Sequence, residues 1–188
     1  VGFAGSTGRP RDRSRLAGIV EGVPPPQGRP VIEGRMALRT VQFVAIVLVA
    51  ITLVPVGAHL FEMPHKIAMT EDQYFTVQGI YSGWSLFGAP WIGAIVVTVV
   101  LALMLRARGR PFRLVLVTAA CLVAGLAVFF TWTFPANQAT QNWTVAPENW
   151  ADLRRQWEYA HAASAVLNFI GFCALALSML GSPETPRR

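Results

Sequence analysis

Charged residues and cysteines are both scarce in this 188-residue sequence. Only 14% of its residues are charged, whereas a soluble domain usually carries about 25%. Two cysteines are too few for a disulfide scaffold, and a hydrophobic content of 53% excludes a chain that is disordered throughout. The sequence also lacks a phosphate-binding glycine loop, a nucleophile elbow and a haem-attachment motif. These absences exclude several common classes of soluble enzyme and direct attention to the apolar residues.

Four segments contain no Asp, Glu, Lys or Arg: 41–60, 86–105, 114–132 and 162–180. Each is about as long as a helix must be to cross a hydrocarbon core of ~30 Å. A segment in lipid must satisfy its own backbone hydrogen bonds, which favours helices over single strands. The sequence therefore predicts an all-α, four-helix transmembrane bundle in contact with the lipid bilayer.

Basic residues are concentrated on one side of the predicted spans. Thirteen of the 16 Lys and Arg residues lie before span one, between spans two and three, or after span four. By the positive-inside rule we expect an integral protein of a bacterial plasma membrane with both termini in the cytoplasm. Two outward loops, 61–85 and 133–161, then form a partly helical cap. The net charge of +6 indicates this orientation and not nucleic-acid binding, because no recognition motif accompanies the arginines.

The N-terminal segment differs in composition from the rest. Residues 1–35 are rich in Gly, Pro and Arg, which predicts a disordered basic arm in the cytoplasm, or an upstream extension ahead of a start at Met36. Such an arm has a second interpretation as a binder of anionic lipid headgroups. The membrane domain then covers 36–182, followed by a cytoplasmic tail at 183–188. Cleavage of span one as a signal peptide near Ala58 is disfavoured, because the apolar run is long and further spans follow.

The first predicted outward loop has a helical signal of its own. Thr70 and Gln73 form a capping-box pattern, which predicts a helix that begins near Glu71 and runs toward Tyr81. Such a helix would lie at the interface and lead into span two.

The second outward loop predicts a long helix that continues into span four. Pro147 suits its first turn. Arg154 and Glu158 are four residues apart and are expected to pair along it. One face of this helix carries four residues spaced three and four apart: Trp150, Leu153, Trp157 and His161.

All six tryptophans and all three tyrosines lie on or near the predicted outward side. Two interpretations remain open at this point. The rings could form an interfacial anchor that packs the two loops together, or they could line a pocket bounded by polar groups.

Two short patterns could carry chemistry. His59 and Glu62 are three residues apart, as are Glu158 and His161, so each pair can present a carboxylate and an imidazole on one helix face. If spans one and four are neighbours, all four groups converge. Three interpretations stay open: structural hydrogen bonding and ion pairing, a general acid–base or substrate-orienting cluster, and a metal site of the carboxylate-bundle type. Pro64 is expected to end the first helix.

Polar and sulfur-containing residues inside the spans have simpler interpretations. Asn168 is expected to make an interhelical hydrogen bond. Cys121 and Cys173 are expected to be buried packing residues and not a redox pair.

The order of several motifs resembles the anthrone-oxygenase-like family of small four-helix membrane proteins. The motifs are GAHLFEMPHK after span one, the arginine hairpin, FPANQAT after span three and NWADLRRQWEYAH before span four. The likeness covers roughly 36–180. It implies that the family's site candidates are Asn137, Arg154, Glu158 and His161. Some fungal members are linked to oxidation of an anthrone to an anthraquinone without an obvious cofactor, and carrying that activity to this chain is an argument from fold-level analogy.

Two functional hypotheses follow. The first is a membrane oxidoreductase that acts on an apolar or aromatic small molecule at the outer leaflet, with cofactor and metal content left open. Its predicted catalytic residues are His161, Glu158, His59 and Glu62, and its predicted substrate-binding residues are Asn137, Trp150, Arg154 and Trp157. The second is a non-catalytic accessory or lipid-binding subunit that docks a membrane-protein partner, or a second copy of itself, through its outer loops. A conducting pore is a weaker third option, because no span carries a row of charges.

Overall fold

A computed structural model describes residues 1–2 and 29–180 of the chain. The chain divides into two compact units, Val1–Met36 and Ala37–Arg188. In the first unit the described residues are Val1, Gly2 and the first turns of a helix that begins at Arg29. Residues 29–35, which the sequence assigns to the predicted arm, are helical in the structure. The rest of the predicted arm beyond Gly2, and the predicted tail at 183–188, lie outside the described residues.

The described residues form helices and no strands. The helices are α1 (Arg29–Lys66), α2 (Glu71–Gln78), α3 (Gly88–Leu105), α4 (Arg110–Val128), α5 (Phe134–Ala139) and α6 (Trp150–Leu180). Two short 3₁₀ turns, Gly79–Tyr81 and Trp84–Phe87, connect α2 to α3, and a π-helical segment, Phe129–Thr133, joins α4 to α5.

Four helical stretches are long and apolar enough to span a membrane, which confirms the predicted set of spans. They are Ile32–Lys66, Trp84–Leu105, Arg110–Ala139 and Trp150–Leu180. Each of these stretches extends beyond the uncharged run that predicted it. The reason is that the helix continues through the polar and charged residues beside each run. An uncharged run therefore marks the span and not the ends of the helix.

The prediction that Pro64 ends the first helix is wrong. Helix α1 passes through both Pro55 and Pro64 and ends at Lys66. A proline removes one backbone donor and clashes with the carbonyl four residues earlier, but membrane helices tolerate it where other groups satisfy the freed carbonyl. The extra residues carry the Lys66 side chain into the site described below.

The predicted loop at 133–161 is largely helical as well. Helix α4 continues through the π-helical segment into α5, and α6 begins at Trp150. The irregular part of the connection is therefore short, and it contains three consecutive residues with positive φ: Gln141, Asn142 and Trp143. In these conformations L-residues are uncommon, and here they turn the chain back toward α6.

The helix predicted after Thr70 is present as α2. The Thr70 backbone N–H donates to the Gln73 side-chain oxygen at 3.1 Å, as one half of the predicted capping box requires. The 3₁₀ turn that follows continues the helical path to Tyr81. The arginine-rich segment is confirmed as a short hairpin between α3 and α4, where Arg106 and Arg108 are exposed.

Within the bundle, small side chains and a few hydrogen bonds bring the helices together. The Thr52 hydroxyl donates to the Asn168 side-chain oxygen at 3.1 Å, which confirms the interhelical bond expected of Asn168. The Trp91 indole donates to the Leu122 carbonyl at 3.1 Å. Gly125 faces the same ring so closely that an added Cβ would lie 2.9 Å from Trp91 Cζ2. Close approach at small residues is typical of membrane helices, since lipid provides no hydrophobic force between them.

Candidate functional site

Charged, histidine and aromatic side chains converge where α1 ends and α6 begins. We call this region, made of residues 59–87 and 133–161, the aromatic end. At its centre the Lys66 ammonium lies 2.9 Å from Glu158 Oε1, and the two side chains are 2% and 0% exposed. An ion pair this deeply buried is stable only when its geometry is good and further hydrogen bonds satisfy its polar atoms.

Two tyrosines add hydrogen bonds to this ion pair. The Tyr74 hydroxyl donates to Glu158 Oε1 at 2.9 Å, and Lys66 donates to the Tyr81 hydroxyl at 3.1 Å. Tyr81 in turn donates to the Glu62 carboxylate. Helix α2 and its 3₁₀ turn therefore connect α1 to α6 through side chains, and Glu62 reaches Glu158 through a chain of hydrogen bonds.

Both tyrosine hydroxyls are held in their neutral form. Burial, followed by the negative charge of Glu158 and the hydrogen bond to it, raises the pKa of Tyr74 far above its usual value. Burial and then the hydrogen bond to Glu62 raise the pKa of Tyr81 in the same direction. Each phenol is therefore a fixed hydrogen-bond donor to a carboxylate at neutral pH.

The two histidines predicted to converge do meet. The ring centroids of His59 and His161 are 4.2 Å apart. The Trp157 ring covers both, at 4.7 Å from His59 and 4.2 Å from His161, and the Tyr81 ring lies 4.4 Å from His59. The structure thus places two imidazoles against each other inside an aromatic enclosure.

Asn137, which is predicted to bind substrate, holds two tryptophans in place. Its Oδ1 atom accepts hydrogen bonds from the Trp143 indole at 3.0 Å and the Trp157 indole at 2.8 Å. A single acceptor shared by two buried indoles fixes both ring planes. Asn137 is therefore a positioning residue for the ring that covers the histidines.

The pairing expected between Arg154 and Glu158 is wrong. Arg154 Nη1 donates to the Met69 carbonyl at 2.6 Å, and its guanidinium lies 4.7 Å from the centroid of the Trp150 ring. The cause is Lys66, which reaches Glu158 from a different helix and could not be seen from spacing along α6. Arg154 and Trp150 together anchor the connection between α1 and α2.

Several aromatic rings of this end pack against each other. Trp143 lies 5.1 Å from Tyr74 and 5.8 Å from Trp157, measured between ring centroids. A surface depression of about 430 Å³ lies beside α2. Its lining residues, none of which is a predicted site residue, are Met69, Asp72, Gln73, Thr76 and Val77. This depression is therefore separate from the tryptophans that are predicted to line a pocket.

Two buried atoms at the centre of the aromatic end have no hydrogen-bond partner. They are Glu158 Oε2 and His59 Nδ1, on side chains that are 0% and 4% exposed. Unpaired buried polar atoms are rare in proteins and costly. Within the described residues, no three His, Cys, Asp or Glu side chains form a group able to hold a metal ion.

Sequence reasoning missed the most buried cation of the site. Lys66 follows Glu62 by four residues and His59 by seven, so all three share one face of α1 if the helix continues past Pro64. The expectation that Pro64 ends the helix concealed this signal. The sequence indicates Tyr74 and Tyr81 only as members of the group of aromatic residues on the predicted outward side.

Comparison of the chain with known proteins gives no match among protein-family models, curated proteins or solved structures. The function therefore has to be argued from the geometry of the aromatic end.

Proposed function

We propose that this protein is an anthrone-oxygenase-like membrane oxidoreductase that acts on an apolar or aromatic small molecule. The observation that carries the proposal is the contact between His59 and His161, 4.2 Å apart at their centroids and enclosed by Trp157 and Tyr81. Apolar walls suit a molecule that arrives from the lipid, and a neutral imidazole is a suitable base at neutral pH.

The chemistry that fits this arrangement begins with proton abstraction. An imidazole removes a proton from a methylene group flanked by aromatic rings, and the resulting carbanion reacts with dioxygen. For each molecule one O₂ is consumed, the methylene becomes a carbonyl, and one water is released. The tyrosine and lysine hydrogen bonds to Glu158 keep that carboxylate in place on the helix that carries His161.

Oxygen uptake tests this proposal directly. Purified protein in detergent is given anthrone as the probe, and oxygen consumption and anthraquinone formation are recorded. Loss of a general base costs roughly a hundredfold or more in rate, so we expect His161→Ala to lose most of the activity above background. His65→Ala is the matched control, because His65 lies on the same helix as His59 but is exposed.

The proposal includes an orientation. In this orientation the hairpin between α3 and α4 and both termini are cytoplasmic, and the aromatic end lies at the outer leaflet of a bacterial plasma membrane. The exposed arginines of that hairpin support it by the positive-inside rule. Reporter fusions after Gly109 and after Val145 test this, and an active cytoplasmic reporter at the second position would reverse the orientation.

A second function is favoured by a different observation. The buried charged groups and tyrosine hydroxyls of the aromatic end already pair with one another, as expected if their role is to hold the helices together. The paired residues are Lys66, Glu158, Tyr74, Tyr81 and Glu62. In that case the protein is a non-catalytic accessory or lipid-binding subunit. An unchanged cellular role in a folded His161→Ala protein would favour this function over the oxidoreductase.

A further inference from the structure

Lys66 is the only lysine in the sequence, and the other 15 basic residues are arginine. It is also one of the most deeply buried side chains of the protein, at 2% exposed. Arginine stays protonated in proteins, whereas a buried lysine amine can lose its proton and act as a nucleophile. The one position where the chain carries a lysine is therefore a position where proton release is chemically possible.

The surroundings of Lys66 are those of a reactive amine. Glu158 Oε1 lies 2.9 Å from Nζ and is a proton acceptor within direct reach. The rings of Tyr81 and Trp157 lie 4.5 and 4.6 Å from the nitrogen, so apolar walls surround it. Lysines that form covalent intermediates with carbonyl compounds are commonly activated by such desolvated settings.

Glu158 has an oxygen free for this purpose. Its Oε1 atom is engaged by Lys66 and Tyr74, while the buried Oε2 atom has no hydrogen-bond partner. Oε1 is the oxygen within reach of Nζ, so it can take the lysine proton and return it without movement of the carboxylate. The unpaired oxygen is the second observation that points to chemistry at this place.

We infer that Lys66 forms an imine with an apolar aldehyde or ketone that enters from the bilayer. The ammonium first gives a proton to Glu158, which leaves a neutral amine and a neutral carboxylic acid. The amine nitrogen forms a bond to the carbonyl carbon while the π bond of the carbonyl breaks, and one N–H proton moves to the oxygen, which gives a carbinolamine. The carbinolamine hydroxyl then takes the proton from Glu158 and leaves as water. The product is a protonated imine on Lys66 paired with the Glu158 carboxylate, so the buried ion pair is restored.

This inference is independent of the proposed oxidoreductase activity. It uses the amine of Lys66 and requires no dioxygen and no proton abstraction by the histidines. A protein that does not oxidise anthrone can still capture a carbonyl compound, and the two proposals can fail separately.

Reductive trapping tests the inference. The full chain in detergent at neutral pH is mixed with one equivalent of cinnamaldehyde and with sodium cyanoborohydride, which reduces an imine to a stable secondary amine. Peptide mass spectrometry then locates the adduct. We expect one cinnamyl group on Lys66 and none on that peptide in Lys66→Arg, which keeps the positive charge but cannot form an imine.

A displaced lysine provides the matched control. The double variant Lys66→Arg with Arg108→Lys again contains one lysine, now on the exposed hairpin. The native protein should trap the aldehyde about a hundredfold faster than this variant, which corresponds to the low end of a positioned acid–base contribution. Glu158→Gln should lose most of that advantage, and a folded state is checked by its thermal unfolding.

If Glu158→Gln fails to fold, the inference is tested by comparing the native protein with the displaced-lysine variant. Trapping at Lys66 that is slower than, or equal to, trapping in the displaced-lysine variant would overturn the inference and leave Lys66 as a structural cation. An unlabelled Lys66 peptide beside a labelled N-terminal amine would overturn it in the same way.

Discussion

The aromatic end and the middle of the bundle both bring helices together, but they bury different kinds of side chain. In the middle, fully buried aliphatic and small residues such as Ala45, Leu101 and Leu122 meet without charge. At the aromatic end the buried groups include Lys66 and Glu158. Aliphatic packing in lipid discriminates poorly between helix partners, because lipid tails are as apolar as leucine. The comparison teaches that the polar groups, and not the apolar ones, specify which helices meet here.

Three pairs of polar side chains form a seam between α1 and α6. Going along α1, Thr52 bonds to Asn168, His59 contacts His161, and Lys66 pairs with Glu158. The three α1 positions are seven residues apart, which places them on one helix face. Their partners occur in the reverse order along α6, so the two helices are antiparallel. Such pairs fix register, because a slip along the helix would separate all of them.

The largest effect is expected from breaking the ion pair. Glu158→Ala leaves the Lys66 ammonium buried without its partner, which should lower the free energy of unfolding by about 3 to 5 kcal/mol. Unfolding in detergent or bicelles measures the loss. Glu148→Ala is the control, since Glu148 is exposed and should lose well under 1 kcal/mol. If the two variants are equally stable, the ion pair does not stabilise the bundle and does not specify which helices meet.

A smaller effect is expected from the close contact in the middle of the bundle. In Gly125→Ala the new methyl group meets Trp91 at 2.9 Å, and that ring is fixed by its bond to Leu122. Overpacking of this kind typically costs about 1 to 3 kcal/mol. Gly57→Ala, where nothing lies within 4 Å, should cost nothing. Thermal unfolding of the two variants under the same conditions compares them, and a tolerated Gly125→Ala would show that Trp91 can move.

The loss of one hydrogen bond within the seam should be smaller still. Thr52→Val removes the donor to Asn168, and such bonds in membrane proteins average about 0.6 kcal/mol. Thr131→Val removes only a bond to the carbonyl of Ala127 on an exposed surface. The difference in unfolding free energy between these two variants isolates the interhelical bond. A larger loss in Thr131→Val would contradict the assignment.

Raising the pH should have no effect near neutrality and a clear one in alkali. Both tyrosines at the aromatic end have raised pKa values, so the folded protein holds their protons more tightly than the unfolded chain does. Their contribution to stability is present below about pH 10 and is lost as the pH rises through the folded pKa values. In Tyr159→Phe, which leaves only Tyr74 and Tyr81, phenolate absorbance should be absent at pH 10 in the folded protein and present after denaturation. Phenolate at pH 10 in the folded variant would contradict the burial of these hydroxyls.

Some parts of the site were predictable from spacing along one helix. Glu158 and His161 are three residues apart on α6, and His59 and Glu62 on α1, so each pair could be assigned from helical geometry alone. The contact between the histidines required only that α1 and α6 be neighbours. By contrast, the partner of Arg154 is the Met69 carbonyl in a different segment, and no spacing rule gives a contact across 85 residues.

The sequence by itself determined the helical class, the four segments that are long and apolar enough to span a membrane, and the clustering of histidine and aromatic residues toward one end. These properties follow from local quantities: the length of an uncharged run, the helical period and the position of each residue relative to the spans. Only the tertiary structure decided that Lys66 reaches Glu158, that Asn137 holds two indoles and that the rings of Trp143 and Trp157 lie against each other. The physical reason is that a buried charge takes whichever partner the packing of separate helices brings within hydrogen-bond distance, and that packing is a property of the whole bundle.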